Sequence, residues 1–330
     1  MDRVSDRRHR SAARARLAAV YGVLALITAG GWLALLGAAH RYPLLLALGV
    51  TAYVLGLRHA VDPDHIAAID ATTRKLMHRG ERPVAVGFFF SLGHSTIVFL
   101  LTLLVAAFGF ALKPHLHALQ SAGAIVGTSV SALFLFGIAA ANAAVLLEVL
   151  RGRNGGQCDF QAPGGWLTRI LRPALALVTK SMHMYPLGML FGLGFDTASE
   201  IALLGISAAS AAGGMPVTYI LLLPLLFAAG MSLADTTEGV AMLGAYGWAY
   251  VRPRQKLFYN VNMTLLSVVI SLVIGSVEAF AVIGTQMGDV RLSQLTAWLS
   301  FSTLGVGIVV LFGANLAFSA ALCRLRSRPS

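Results

Sequence analysis

Residues 43–66 read PLLLALGVTAYVLGLRHAVDPDHI, a run that is free of charge from Pro43 to Leu57 and then places Arg58, His59, Asp62, Asp64 and His65 within eight positions. As a helix rising 1.5 Å per residue, such a stretch covers about 36 Å, enough for the ~30 Å hydrocarbon core of a bilayer. Seven further apolar runs flank it, at roughly 17–39, 84–110, 121–149, 185–209, 216–247, 257–284 and 295–322. The pattern predicts an all-α polytopic membrane protein with about eight transmembrane helices. Pro63 cannot donate a backbone N–H and disfavours helix at Asp62, so the span 43–66 is expected to break there.

Composition agrees with a bilayer as solvent. Of 330 residues, 57% are hydrophobic and 12% charged, with a mean hydropathy of +0.75. A soluble domain carries about twice that charged fraction. The net charge of +11 suggests nucleic acid until it is placed along the chain. Twenty-one of the 25 Lys and Arg lie in the N-terminal tail, in the C-terminal tail and in the connections after spans 2, 4 and 6. The alternate connections hold Arg41, Lys113 and Arg291, and Arg58 lies inside span 2. That asymmetry is the positive-inside rule, and it puts both termini in the cytoplasm of a bacterial inner-membrane protein. No nucleic-acid partner is implied. The expected organisation is a basic cytoplasmic tail (1–16), helices 1–4 (17–149), a cytoplasmic loop (150–184), helices 5–8 (185–322) and a second tail (323–330). The first apolar run is long for a signal peptide and is read as a retained span. Cys158 and Cys323 suggest neither a disulfide nor a thiolate site.

Six of the 14 acidic residues, with three histidines, fall inside or at the edge of spans. Even low estimates charge ~2.5–3.5 kcal/mol for an Asp at a helix centre, so such groups must face protein or water. His59, Asp62 and His65 recur every three residues and share a helical flank. With Asp64 they form a mixed imidazole–carboxylate set suited to Ni²⁺, Co²⁺ or Zn²⁺. A bland alternative is a helix end at the headgroups with Arg58 paired to Asp62. His94 sits near the middle of span 3, between Gly93 and Ser95-Thr96. Asp196 and Glu200 in span 5, and Asp235 and Glu238 in span 6, form carboxylate pairs on one helical face. Each Asp precedes a Thr whose hydroxyl can orient it. These pairs read as a transport pathway or, more blandly, as polar contacts between helices. Glu278 reads as solvated or at a vestibule near an aqueous edge, and His115/His117 as a solvated loop.

Together the motifs resemble the nickel/cobalt transporter family. They are His59-x₄-Asp64-His65, Phe89-x₃-Gly93-His94-Ser95-Thr96, Leu193-Gly-Phe-Asp196-Thr197-Ala198-x-Glu200 and Gly230-Met231-x₃-Asp235-Thr236. Met184-Tyr-Pro-Leu-Gly188 and Phe258-Tyr-Asn260 are similar as well. The chain departs from the family pattern at Pro63, where Ala is expected, and at Glu238, where Asp is. The resemblance implies an eight-span Ni²⁺/Co²⁺ uptake permease whose span 2 motif recognises the metal, with the other motifs contributing. It implies no cofactor, the metal being cargo.

Other readings fit less well. Membrane di-metal enzymes need clustered histidine boxes, and most of the nine histidines here lie in tails, loops or span edges. There is no H-E-x-x-H, G-x-S-x-G or G-x-x-x-x-G-K-[ST] motif, which disfavours a protease and gives no ATP site of the chain's own. No obligatory ATPase partner is expected. Nickel or cobalt efflux remains the main alternative, and the absence of a long His-rich cytoplasmic loop favours uptake.

Overall fold

Pro63 does break the helix, and the break sets the local architecture. In the computed structural model, which describes residues 2–78, 80–112, 116–150, 178–194, 197–249, 253–288, 291 and 304–314, helix α2 (Leu44–His59) stops and α3 (Pro63–His78) starts after three residues. A proline at position 63 would drive its ring against the His59 carbonyl in a continuous helix. Instead it takes the first position of a new one, where a missing N–H costs nothing. Asp62 precedes it at the cap, and its carbonyl accepts from the Ile66 N–H at 3.2 Å.

The other helices are α1 (Asp2–Ala39), α4 (Val86–Leu112), α5 (Leu116–Leu150), α6 (Met184–Phe191), α7 (Ala198–Ala212), α8 (Val217–Ile220), α9 (Leu222–Ala249), α10 (Pro253–Met287) and α11 (Leu304–Ala314). No strand occurs among the described residues. Five stretches are long and apolar enough to cross a membrane: Ala13–Ala39, Val86–Phe108, Ser121–Ala144, Val217–Ala245 and Val261–Met287. The broken pair Leu44–His59 and Pro63–Met77 makes a sixth if counted as one span.

Two expectations change here. The apolar run 185–209 is not one helix: α6 ends at Phe191 and α7 begins at Ala198. Gly192 and Gly194 lie in the gap, where helix propensity is poorest. The helix after Pro63 also runs on to His78, so Arg74 and Lys75, read as part of a cytoplasmic connection, are buried on α3.

The chain divides into two compact units. The first comprises Met1–Val61, Val84–Val130 and Lys180–Gly239. Its core gathers Leu35, Leu45, Leu203, Leu223, Leu226, Phe227 and Met231. Glycines let its helices touch backbone to backbone. A Cβ on Gly56 of α2 would overlap the Phe227 carbonyl of α9, and one on Gly230 would crowd the Tyr53 carbonyl in return. Gly93 of α4 lies against the Tyr185 carbonyl of α6, and Gly188 of α6 against that of Phe90. Without a hydrophobic drive between helices in lipid, such small-residue crossings are what hold them. The second unit comprises Asp62–Pro83, Ser131–Thr179 and Val240–Ser330, and in it α3 packs on α10.

Candidate functional site

Within the first unit, three widely separated elements bring their ionisable side chains to one point. The end of α2 supplies Arg58 and His59, the middle of α4 supplies His94, and the first turn of α7 supplies Ser199 and Glu200. His94 Nε2 lies 2.8 Å from Glu200 Oε1 and 3.0 Å from His59 Nε2, and the third edge, His59 Nε2 to Glu200 Oε1, is 3.8 Å. All three residues are at least 98% buried. The imidazole rings are tilted at 58° with centroids 4.8 Å apart, and His59 also rests on Phe227 at 5.5 Å.

The helix ends explain the arrangement. Gly56 and Gly230 hold α2 on α9 three residues before His59, and Gly93 fits α4 against α6 beside His94. Thr197 and Glu200 have capping-box spacing at the start of α7. The Thr197 hydroxyl makes no cap bond, however; it donates to Glu200 Oε2 at 2.9 Å. Oε1 is thereby left for the histidines, and the helix N-terminus favours the carboxylate charge.

The same bond fixes the His59 tautomer. With its proton committed to Glu200, the Thr197 oxygen, 3.4 Å from His59 Nδ1, serves as acceptor. Ser199 Oγ lies 3.3 Å from the same nitrogen and accepts from Arg58 Nη1 at 2.9 Å. We therefore assign the hydrogen to Nδ1, which turns the Nε2 lone pair toward His94 and Glu200. Orienting a ligand histidine through its other nitrogen is a common feature of metal sites.

What the triangle can hold follows from its edges. A point equidistant from the three atoms lies about 1.9 Å from each, close to the ~2.0–2.2 Å of dication bonds to imidazole and carboxylate. Two imidazoles and a carboxylate suit borderline first-row dications better than Mg²⁺ or Ca²⁺.

The remaining expected residues are placed as follows. Asp62, Asp64 and His65 belong to the second unit, at the start of α3; Asp62 and His65 are buried. Asp64 Oδ1 accepts from the His65 backbone N–H at 2.9 Å. Asp235 and Glu238 are on α9, the first buried and the second half-buried. Asp196 lies outside the described residues. Thr197 donates to Glu200, and the Thr236 hydroxyl, expected to orient Asp235, has no hydrogen-bond partner among the described residues. Glu278, read as solvated, is 3% exposed and accepts from Ser131 Oγ at 3.0 Å. Its depth in α10 and a facing hydroxyl outweigh its position late in the apolar run. The reading of the sequence also missed Ser199, a bare serine on an apolar helix, and the buried Asp70–Arg74 pair at 3.2 Å on α3, for which i,i+4 spacing was the available signal.

Residues 45–322 match the family model described as high-affinity nickel-transport protein. The high-affinity nickel transport protein of Cupriavidus necator is 43% identical over 330 residues, covering 95% of this chain and 93% of the relative. The nickel transporter NicT of Mycobacterium tuberculosis is 44% identical, covering 92% and 87%. The cobalt transport protein NhlF of Rhodococcus rhodochrous is 40% identical, covering 92% of each. No solved structure matches the chain.

Proposed function

The chain belongs to the high-affinity nickel-transport protein family, and on that premise we propose that it takes up nickel, with cobalt as a second substrate, across the bacterial cytoplasmic membrane through a site centred on His59, His94 and Glu200. It is a transporter and not an enzyme, and the metal is its cargo. The observation that carries the site is the convergence of two imidazole nitrogens and a carboxylate oxygen, all buried, at the edges 2.8, 3.0 and 3.8 Å.

A dication enters apolar surroundings only when ligands replace its hydration shell. His59 and His94 supply neutral nitrogens, and Glu200 removes one of the two charges. In this reading the His59-x₄-Asp64-His65 motif makes Asp64 and His65 further candidates for metal recognition. Asp62, Asp196, Asp235 and Glu238 contribute compensating negative charge to transport. Cobalt is supported by the resemblance to NhlF. Because nickel binds N/O sites more tightly than cobalt, any cobalt preference has to come from geometry.

The proposed topology is eight spans with both termini in the cytoplasm, supported by the Lys/Arg asymmetry. An inside-negative potential then contributes ~4.6 kcal/mol per 100 mV to a dication moving inward, twice the single-charge value. That drive needs no partner ATPase. Cells expressing the chain should accumulate radiolabelled nickel above vector controls, with cobalt competing and with collapse of the potential stopping uptake. Inserted protein without accumulation defeats the reading, and accelerated loss of preloaded metal points to efflux instead.

A further inference from the structure

The buried face of α10 uses none of the candidate metal ligands, yet it carries a polar stripe through a membrane span. At 100° per residue, Thr264, Ser267, Ser271, Gly275 and Glu278 fall within about 80° of one another. Thr264, Ser267, Ser271 and Glu278 are all buried, whereas Leu265, Val269, Leu272, Val273, Phe280 and Ile283 on the opposite side are exposed. The helix thus presents its apolar side to lipid and its hydroxyls and carboxylate inward, where intramembrane polar groups are functional by default.

Each end of the stripe meets a neighbour of the same unit. Ser267 Oγ donates to Asp70 Oδ2 of α3 at 3.0 Å, and Arg74 Nη2 donates to the same oxygen at 3.2 Å. Ser131 Oγ of α5 donates to Glu278 Oε1 at 3.0 Å. Between them the Ser271 hydroxyl, 1% exposed, has no hydrogen-bond partner among the described residues. The charged and titratable groups of α3 are Asp64, His65, Asp70, Arg74, Lys75 and His78; residues 131–147 of α5 and all of α11 contain no titratable side chain.

The two carboxylates are held differently. Asp70 is tied to a guanidinium one helical turn away. Glu278 is bonded to a hydroxyl, which can donate to a carboxylate or accept from a carboxylic acid and so serves either form. It lies nine residues before the end of α10, about 13.5 Å along the axis. Neither histidine nor cysteine occurs on α10, so the stripe is poor in the ligands that a transition-metal dication prefers.

We propose that Glu278 is a proton-binding site that loads and empties once per transport cycle, coupling metal uptake to proton movement. Water on one side gives a proton to a Glu278 carboxylate oxygen, and the carboxylic acid returns it to water on the other. The hydroxyls of Thr264, Ser267 and Ser271, with water spanning the turns between them, form the path. The inference rests on the transport reading above.

The test uses the full chain in proteoliposomes with a pH-sensitive dye trapped inside and the membrane potential clamped at zero. Two readouts are taken with radiolabelled nickel: exchange at equal metal on both sides, and accumulation driven by an imposed pH difference. Wild type should exchange nickel, change the lumenal pH as metal enters and accumulate metal on the pH difference. Glu278→Gln should lose the pH-driven accumulation and the dye response while retaining exchange, and Glu278→Asp should recover part of both. Nickel influx by wild type with no dye response overturns the proposal, as does pH-driven accumulation by Glu278→Gln. If both variants lose exchange, Glu278 is structural and the proposal fails. A wild-type chain that exchanges no nickel defeats the transport reading itself.

Discussion

The Thr197 hydroxyl donates to Glu200 Oε2 at 2.9 Å, while the other oxygen of that carboxylate faces His94 at 2.8 Å. One short helix start therefore both builds a ligand and aims it. Glu200→Gln keeps the shape but removes the charge and leaves an amide beside two imidazoles. Metal affinity should fall by more than the ~10–100-fold typical of losing an outer partner of a metal ligand. Uptake of radiolabelled nickel against concentration, normalised to protein in the membrane, measures this. Unchanged half-saturation would remove Glu200 from the site.

Thr197→Val tests the outer partner alone. It preserves volume but deletes the hydrogen bond to Glu200 and the acceptor facing His59 Nδ1. The expected cost is ~10–100-fold in affinity, with Thr197→Ser close to wild type. Ser199→Ala should have a smaller effect, because Thr197 still faces the same His59 nitrogen. Equal uptake by Thr197→Val and wild type would mean that the hydroxyl orients nothing.

How much of this could be read from the chain varies by residue. The break before α3 was legible because Pro63 forbids a continuous helix by covalent geometry. The gap between α6 and α7 was not, since Gly192 and Gly194 permit a break without requiring one. His59, His94 and Glu200 each stood out as intramembrane ionisable residues. Their convergence did not, because it depends on backbone crossings at Gly56, Gly93, Gly188 and Gly230 that link helices far apart in sequence. Arg74 and Lys75 were misplaced for a related reason. A charge run resembles a solvated connection until a partner such as Asp70 permits its burial.

Those crossings make a direct prediction. Gly56→Ala and Gly93→Ala place a methyl group on a neighbouring carbonyl, and overpacking of this kind costs about 1–3 kcal/mol. Both should lower the unfolding temperature of detergent-purified protein and reduce uptake. Gly30→Ala and Gly37→Ala, where an added Cβ meets nothing within 4 Å, should be neutral or slightly stabilising. A neutral Gly56→Ala would show that α2 and α9 can separate without loss.

The eight-span topology is tested by reporter fusions. Tags after residues 40, 115, 212 and 289 should report the outside, and tags after 78, 160 and 253 the inside. The charge asymmetry demands this alternation. Because α6 and α7 are short and interrupted, the pair of fusions at 160 and 212 is the most informative. If both report the same side, the segment between them does not cross the membrane.

The last prediction concerns the start of α3. Pro63 is accounted for by helix initiation, whereas His65 is fully buried and has no such local duty. His65→Ala should therefore abolish uptake while leaving the protein folded and inserted, as should His59→Ala. Asp64→Asn removes a charge but can still accept the His65 backbone N–H through its amide oxygen, so affinity should fall without loss of the helix. Asp62→Ala keeps the backbone carbonyl that accepts from the Ile66 N–H, so the start of α3 should persist while uptake weakens through the lost charge. Thermal unfolding and normalised nickel uptake, measured on the same four variants, separate a transport defect from a folding defect. Wild-type uptake by His65→Ala would confine metal recognition to His59, His94 and Glu200, and the second unit would then contribute no ligand.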